Sequence, residues 1–337
     1  MQHASDAFVA EWKTGIVLRA LAAHGLDVSV AGVQTSAVQS RRRAKLSGRR
    51  TKKATLVGFH ARASDTIIEV PDCKLLSPAI MATMPALNAL TILAASRKGE
   101  VGLTVTESES GPDIRIDTDK DLTEDLRVQL AGVANEFGIA RLVWKDEPVV
   151  TVRTPLQSFG GVRVVPPPGA FLQATKDGEI ALQQAVLAIV AGANRVVDLF
   201  AGSGTFSLPI SRHSEVHAVE GDKVMMTALD AAWRQGRELR KVSTETRDLF
   251  RRPLLPDELD KFDAAVIDPP RAGAEAQIAE IAASALKTVA MVSCNPVTFA
   301  RDAKALIAAG FVMEPLTVVD QFRWSPHTEV VAAFNRP

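Results

Sequence analysis

Three short stretches in the C-terminal half of the chain combine residue types that do chemistry. Asp268-Pro269-Pro270-Arg271-Ala272-Gly273 joins an acid to a rigid turn, Ser293-Cys294-Asn295-Pro296 carries a thiol, and Ser325-Pro326-His327-Thr328-Glu329 ends in a second acid. A thiol just ahead of a helix that begins near Pro296 is a candidate nucleophile, because a helix N-terminus stabilises the thiolate. Each residue taken singly has an ordinary alternative. Free cysteines are mostly small buried hydrophobes, an isolated Glu is usually a surface acid, and Pro-Pro is a turn. It is their joint placement that argues for a site.

A fourth stretch points to a cofactor. Asp198-Leu199-Phe200-Ala201-Gly202-Ser203-Gly204-Thr205-Phe206 closes an apolar run with a Gly-x-Gly turn, and Glu220 follows 16 residues after Gly204. Glycines there let the backbone approach a ligand closely. An acid ending the next strand can accept from two ribose hydroxyls. The dinucleotide fingerprint is incomplete, since Ser207 occupies the place of its third glycine. Asp198 would repel a pyrophosphate but suits a cationic ligand bearing an amino acid. The balance tilts from a nicotinamide cofactor toward S-adenosylmethionine.

These residues need a scaffold. The second half alternates helices with apolar strands, expected at 195–200, 216–220, 244–248, 262–268, 288–294, 311–319 and 330–334, with a leading helix at 177–191. That pattern predicts an α/β fold with a doubly wound, mostly parallel, seven-stranded Rossmann-like sheet. Ligands in such sheets lie outside the carboxyl ends of the strands near the switch point, where all four stretches fall. The first half predicts a smaller α+β domain of antiparallel character. Its elements are helices at 5–24, 80–97 and 122–137, paired strands at 101–106 and 113–117, and a hairpin turning near Ser47-Gly48. Pro166-Pro167-Pro168-Gly169 is a break that serves either as a domain junction or as a rigid loop. As a junction it separates residues 1–168 from 169–337.

The second half resembles the RNA uracil-C5 methyltransferases. The resemblance rests on the Asp-Leu-Phe-Ala-Gly-Ser-Gly-Thr-Phe-Ser stretch, Asp-Pro-Pro-Arg-Ala-Gly, Ser-Cys-Asn-Pro-x-Thr-Phe-Ala-Arg-Asp at 293–302, the closing His-Thr-Glu, and Phe171-Leu172-Gln173, all in the expected order. It implies an S-adenosylmethionine-dependent enzyme with Cys294 as nucleophile and Glu329 as base. It places Gln173, Phe200, Thr205, Glu220 and Asp268 on cofactor-contacting positions, with Asp248 as a further contact to the adenine. The chemistry explains the residue types. Carbon 5 of uracil is a weak nucleophile until a thiolate adds to carbon 6. After methyl transfer a base must remove the carbon-5 proton so that the thiolate can leave.

The first half matches this family more loosely. Many members carry a β-barrel RNA-binding domain and a four-cysteine iron–sulfur site. Met1-Gln2-His3-Ala4 resembles the stretch after the three-cysteine cluster, and Cys73 falls where the fourth ligand would be. One cysteine cannot hold a cluster. Either the lineage lost the cluster and Cys73 is a relic ligand, or the sequence starts late, the second being favoured. Ala174-Thr175 replaces the Asn that usually follows the Gln of Phe-x-Gln.

Rival readings are weaker. N6-adenine methyltransferases need an aromatic after Pro-Pro, where Arg271 stands, and they leave no role for Cys294. Cytosine-C5 RNA enzymes use a different cysteine motif. An RNA-binding protein with a vestigial methyltransferase fold would not need Cys294, Glu329, Glu220 and the glycine turn together. Between RNA classes the reading leans to 23S ribosomal RNA over transfer RNA.

Bulk composition adds a partner and a place. Lys+Arg and Asp+Glu balance at 39 each, but residues 1–70 carry 11 Lys+Arg against 5 Asp+Glu, concentrated in Arg41-Arg42-Arg43, Lys45, Arg49-Arg50 and Lys52-Lys53. This is the footprint of an RNA-facing surface or of a solvated hairpin face. Two distant cysteines exclude a disulfide framework or a metal motif. No run is long enough to span a membrane, and the opening residues do not read as a signal peptide. A cytoplasmic monomer is expected.

Overall fold

The computed structural model describes the chain except for Lys53, Arg97, Lys98 and Pro337. Lys53 of the basic run, the expected start of its strand, and the expected end of the 80–97 helix at Arg97 therefore lie outside the described residues. The chain forms two compact units. One comprises Met1–Ser36, Ser158–Val164 and Asp177–Pro337; the other comprises Ala37–Gln157 and Val165–Lys176. The linear boundary expected at 168/169 is thus corrected. The first 36 residues fold with the C-terminal half because their apolar groups are buried there. Helix α1 (Asp6–Ala22), capped by Ser5, places Val17 and Leu21 in one core with Phe299 and Leu306.

The first unit is built on a sheet of nine strands among the described residues. They are β1 (Val30–Thr35), β2 (Arg195–Leu199), β3 (Glu215–Glu220), β4 (Val242–Thr246), β5 (Ala264–Ile267), β6 (Thr288–Ser293), β7 (Val312–Met313), β8 (Leu316–Asp320) and β9 (Glu329–Asn335). The order is β1-β8-β9-β6-β5-β2-β3-β4, and β7 pairs with β9. The seven expected strand regions are all present, and β1 adds an edge strand parallel to β8. The expected 311–319 strand is two, β7 and β8, because Pro315 has no N–H for the ladder. Strands β2 to β6 pair parallel, while β9 runs antiparallel to both β6 and β8. Apolar groups fill both faces, so a strand such as β5 is buried at every residue.

The strand order reverses between β2 and β5. The register aligns Leu199 with both Val219 and Ile267, Ile267 with Met291, and Ser293 with Val330. The carboxyl ends of β2, β3, β5 and β6 and the amino end of β9 therefore share one edge of the sheet.

The second unit has a seven-stranded sheet, antiparallel except where Gly111–Asp117 meets Arg141–Trp144. Met84–Ala94 and Glu124–Glu136 pack on its core. The α+β character expected of the first half holds here. Two details differ. The helix expected from residue 80 is two, Pro78–Ala82 and Met84–Ala94, with Pro85 opening the second. The hairpin does not turn at Ser47-Gly48, because Arg43–Arg50 is one continuous strand, and the Thr51 N–H beyond it donates to the Ala54 carbonyl. Gly48 serves packing instead, since a Cβ there would lie 2.4 Å from Thr91 Oγ1 on the covering helix.

The basic run divides by burial. Arg42 is 6% exposed, and its Nε donates to the Gln173 carbonyl at 3.1 Å. Arg43 donates to the Gly169 carbonyl at 2.9 Å. Burial holds the Arg41 and Arg43 guanidiniums below their usual pKa. The Arg41–Arg43 triplet is thus not a solvated phosphate-facing surface: Arg42 and Arg43 fasten the 165–176 segment. Lys45, Arg50 and Lys52 are exposed.

Candidate active site

The cofactor side of the site is the turn that leaves β2. Phe200, Gly202 and Gly204 all take positive φ (64°, 56° and 98°). A Cβ on Gly204 would crowd Leu208 and Leu229, whereas the space at Gly202 is open. This tight turn gathers the acids. Glu220, ending β3, accepts from the Gly202 N–H at 3.2 Å and the Asp222 N–H at 3.0 Å, which fixes its carboxylate at the turn. Asp198 is fully buried; the Ser207 hydroxyl donates to its Oδ2, while its Oδ1 and the Ser203 hydroxyl lack a protein partner. Thr205 is set by its carbonyl, which accepts from Gln183 Nε2 at 2.9 Å. Asp248 follows β4 and caps its own turn, accepting from the Phe250 N–H at 3.0 Å. Phe250 packs on Phe200 with ring centroids 5.4 Å apart. This aromatic pair beside Asp248 suits a flat base, and Phe250 carried no signal in the sequence beyond being an aromatic.

The chemical side is the other flank of the switch point. Asp268 directly follows β5, and its N–H donates to the Leu199 carbonyl at 3.3 Å. Cys294 directly follows β6, and Glu329 opens β9. Because Ser293 pairs with Val330, the next step of that antiparallel ladder sets Cys294 against Glu329. Asn295 locks the local geometry. Its side chain caps the helix Pro296–Ala308 through the Val297 N–H, and its Nδ2 donates to the Arg271 carbonyl at 2.9 Å. The Asp-Pro-Pro-Arg and Ser-Cys-Asn-Pro loops are thereby joined. Arg271 is exposed, and its guanidinium reaches 3.4 Å from His327 Nδ1.

The electrostatics are those of acids held away from water. Glu329 is 2% exposed, and its pKa is raised from 4.5 to about 8 by burial and then by Asp268, with Lys13 opposing. Burial lifts Asp268 to about 7, with Asp198 adding to the shift. Burial likewise lifts Asp198 to about 7 against its hydrogen bonds from Ser207, with Glu220 adding to the rise. The Cys294 thiol goes up, from 9.0 to about 11, through burial, Glu329 and Asp268, with Arg271 opposing. The expected lowering of this thiol by the helix N-terminus is corrected: two neighbouring acids and desolvation outweigh it, and Asn295 already occupies the first helical N–H.

Of the residues singled out in the sequence, Phe200, Thr205, Glu220, Asp248, Asp268, Cys294 and Glu329 lie along this one edge. Gln173 belongs to the other unit, where it is buried and tied by Arg42. Cys73 is half-buried at the rim of that unit's core. Among the described residues no cluster of His, Cys, Asp or Glu is placed to hold a metal, and no helix is long and apolar enough to cross a membrane.

The family model described as tRNA (uracil-5-)-methyltransferase matches residues 168–336, the stretch that carries β2 to β9 and every acid just described. The chain belongs to this family. An uncharacterized RNA methyltransferase of Rhizobium meliloti (strain 1021) is 44% identical over 336 residues, covering 100% of this chain and 81% of that protein. The 23S rRNA (uracil(1939)-C(5))-methyltransferase RlmD of Shewanella halifaxensis is 29% identical over 88% of this chain and 69% of its own. The crystal structure of a Pyrococcus abyssi tRNA (uracil-54, C5)-methyltransferase in complex with S-adenosyl-L-homocysteine superposes with a TM-score of 0.77 at 18% identity. It covers 99% of this chain and 84% of that one, and establishes a shared fold. This RNA (uracil-C5)-methyltransferase is accordingly an S-adenosylmethionine-dependent enzyme. Its glycine turn fits that cofactor, because the turn carries a buried carboxylate oxygen and a buried hydroxyl without protein partners and holds an acid fixed by two backbone amides.

Proposed function

We propose that this enzyme methylates carbon 5 of a uridine in 23S ribosomal RNA through a covalent Cys294–uracil adduct, with Glu329 as the base. The observation that carries the reading is the juxtaposition of Cys294 and Glu329 on neighbouring antiparallel strand ends, beside Asp268 and next to the glycine turn. The Cys294 thiolate adds to carbon 6, and the ring electrons move to carbon 5 and the carbonyl at carbon 4. Bound S-adenosylmethionine would supply an electrophilic methyl group to carbon 5, its sulfur leaving as the neutral thioether of S-adenosylhomocysteine. Glu329 then removes the carbon-5 proton, the double bond re-forms, and Cys294 leaves as thiolate. Asp268, at the seam of the two flanks, is suited to hold the pyrimidine edge. Glu220, Asp198, Thr205, Phe200 and Asp248 would hold the cofactor. Ribosomal RNA is favoured by the similarity to the 23S enzyme of Shewanella halifaxensis. Transfer RNA, which the family's description favours, is the second reading. The enzyme is taken to act as a cytoplasmic monomer.

The test is denaturing-gel mobility after incubation with 5-fluorouridine-substituted 23S RNA and S-adenosylmethionine. Fluorine at carbon 5 cannot leave as a proton, so the adduct should persist, and Cys294→Ala should abolish it. An adduct formed only with substituted transfer RNA would move the substrate to the second reading. No adduct with either RNA would favour the vestigial RNA-binding alternative.

A further inference from the structure

Lys13 lies in the middle of α1, and its side chain is 0% exposed. Its ammonium donates to Asp320 Oδ1 at 2.6 Å, to the Phe322 carbonyl at 3.2 Å and to the His327 carbonyl. An ammonium has three protons, and here each finds an acceptor. The acceptors are not scattered. Asp320 ends β8, Glu329 begins β9, and the two carbonyls stand near the start and the end of the eight residues between them.

We infer that Lys13 is a positioning residue for Glu329, tying both ends of the 321–328 connection to α1 and holding a cation beside the carboxyl group. The inference rests on the reading of Glu329 as the base. Stability alone is a weak reason for such a pair, because buried ion pairs can often be exchanged for uncharged groups of similar volume without loss. Placement is the stronger reason. Glu329 is the first residue after the tied connection, so slack at 321–328 would pass directly to its carboxylate. Proton abstraction tolerates little slack, and a misplacement of about 1 Å can slow a reaction about 100-fold.

Charge supports the same role. Asp268 faces Glu329 from the end of β5, Cys294 from the end of β6 and Lys13 from α1. Behind them, Asp320 shares Lys13, Asp198 acts on Asp268, and Arg271 acts on Cys294. Lys13 is the cation among the groups acting directly on Glu329, and it pulls the carboxyl group toward its ionised, basic form against burial and Asp268.

The test uses the full chain and a 23S RNA transcript tritiated at uridine carbon 5, so that proton abstraction is read as tritium released to water. If wild type releases none from this transcript, the same series is run on a tritiated transfer RNA. Two neutral pairs, Lys13→Met/Asp320→Asn and Lys13→Gln/Asp320→Asn, remove the cation without stranding Asp320. Cofactor binding and adduct formation with 5-fluorouridine RNA should stay within about threefold of wild type. Tritium release should fall by about 10–100-fold, and its rising pH limb should move to higher pH. Release at the wild-type rate with an unmoved limb would overturn the inference. Failure of both pairs to fold would assign the contact to stability alone and also overturn it. Glu329→Gln is the control for the underlying reading: if it releases tritium like wild type, the base assignment fails; if it does not release while the Lys13 pairs do, only the role of Lys13 fails.

Discussion

Replacing Glu329 by Gln should stabilise the protein, and the gain should grow with pH. The carboxyl group is buried and its pKa is raised from 4.5 to about 8. A raised folded-state pKa means that the folded chain binds this proton more tightly than the unfolded chain does. Below the unfolded value both states are protonated, and the group contributes no penalty. Between the two values the unfolded chain ionises freely and the folded chain does not, so folding loses about 1.4 kcal/mol for each pH unit. The full interval sets a ceiling of about 5 kcal/mol. Asp268 and Asp198 titrate toward about 7 in the same window and oppose ionisation of Glu329. Sharing among the three reduces the part that one substitution recovers to about 3 kcal/mol.

Glutamine keeps the shape and cannot ionise. For a folding unit of this size about 1 kcal/mol moves Tm by about 2–4 °C. The Tm difference between Glu329→Gln and wild type should therefore be near zero at about pH 4 and reach about 6–12 °C at about pH 8.5. Differential scanning calorimetry across that range reads it directly, since titrations common to both proteins cancel. Parallel Tm curves would refute the argument, because they would mean that Glu329 ionises as easily in the folded chain as in the unfolded one. A difference growing toward acid pH would show the sign to be wrong.

Other expectations concern neighbouring groups. With its thiol raised from 9.0 to about 11, Cys294 in a Cys73→Ser background should react with iodoacetamide about 10-fold more slowly than a free thiol near neutral pH, the lost thiolate fraction being partly offset by the greater nucleophilicity of the thiolate that remains. Asp268→Asn should speed that reaction by removing one of the anions that raises the thiol. Asp198→Ala should weaken S-adenosylmethionine binding by about 10–100-fold in calorimetric titration, since the substitution removes a charged hydrogen-bonding group from the turn. Arg42→Met should lower Tm by breaking the tie to Gln173, at about 1–3 kcal/mol, and should leave the salt dependence of RNA binding unchanged. Reversing Lys45, Arg50 and Lys52 together should instead reduce the salt slope of RNA binding by up to about 2. An unchanged slope would return those three to a merely solvated face.

What could be read from the chain was whatever is local. Alternation of apolar strands and helices is a local pattern, and it gave the doubly wound sheet with strand ends correct to a residue or two, apart from the break inside 311–319. The glycine turn, Glu220, Asp268, Cys294 and Glu329 are each tied to a strand end, so once the strand order is that of a doubly wound sheet they fall together at one edge. The errors came where a contact between distant segments decides. Gly48 reads as a turn because glycine favours turns, but it lies in a strand because a helix 43 residues later needs the space. Arg41–Arg43 read as a solvated surface because three arginines seldom find partners inside, yet the 165–176 segment supplies carbonyls to Arg42 and Arg43.

The largest omission has the same cause. Lys13 in Trp12-Lys13-Thr14 looks like the polar face of an amphipathic helix, and its partner Asp320 stands 307 positions away. Nothing nearby in sequence announces that pairing, and nothing in a linear division at 168/169 allows it, because such a division puts the two residues in different domains. Once Met1–Ser36 is seen to fold with the C-terminal half, the lysine has no water to face, and a buried ammonium must be paired. Its acceptors then trace the connection that leads into Glu329, the proposed base. The N-terminal helix is, on this argument, part of the catalytic unit, and variants of α1 should be judged by the rate of proton removal at uracil carbon 5 as well as by stability.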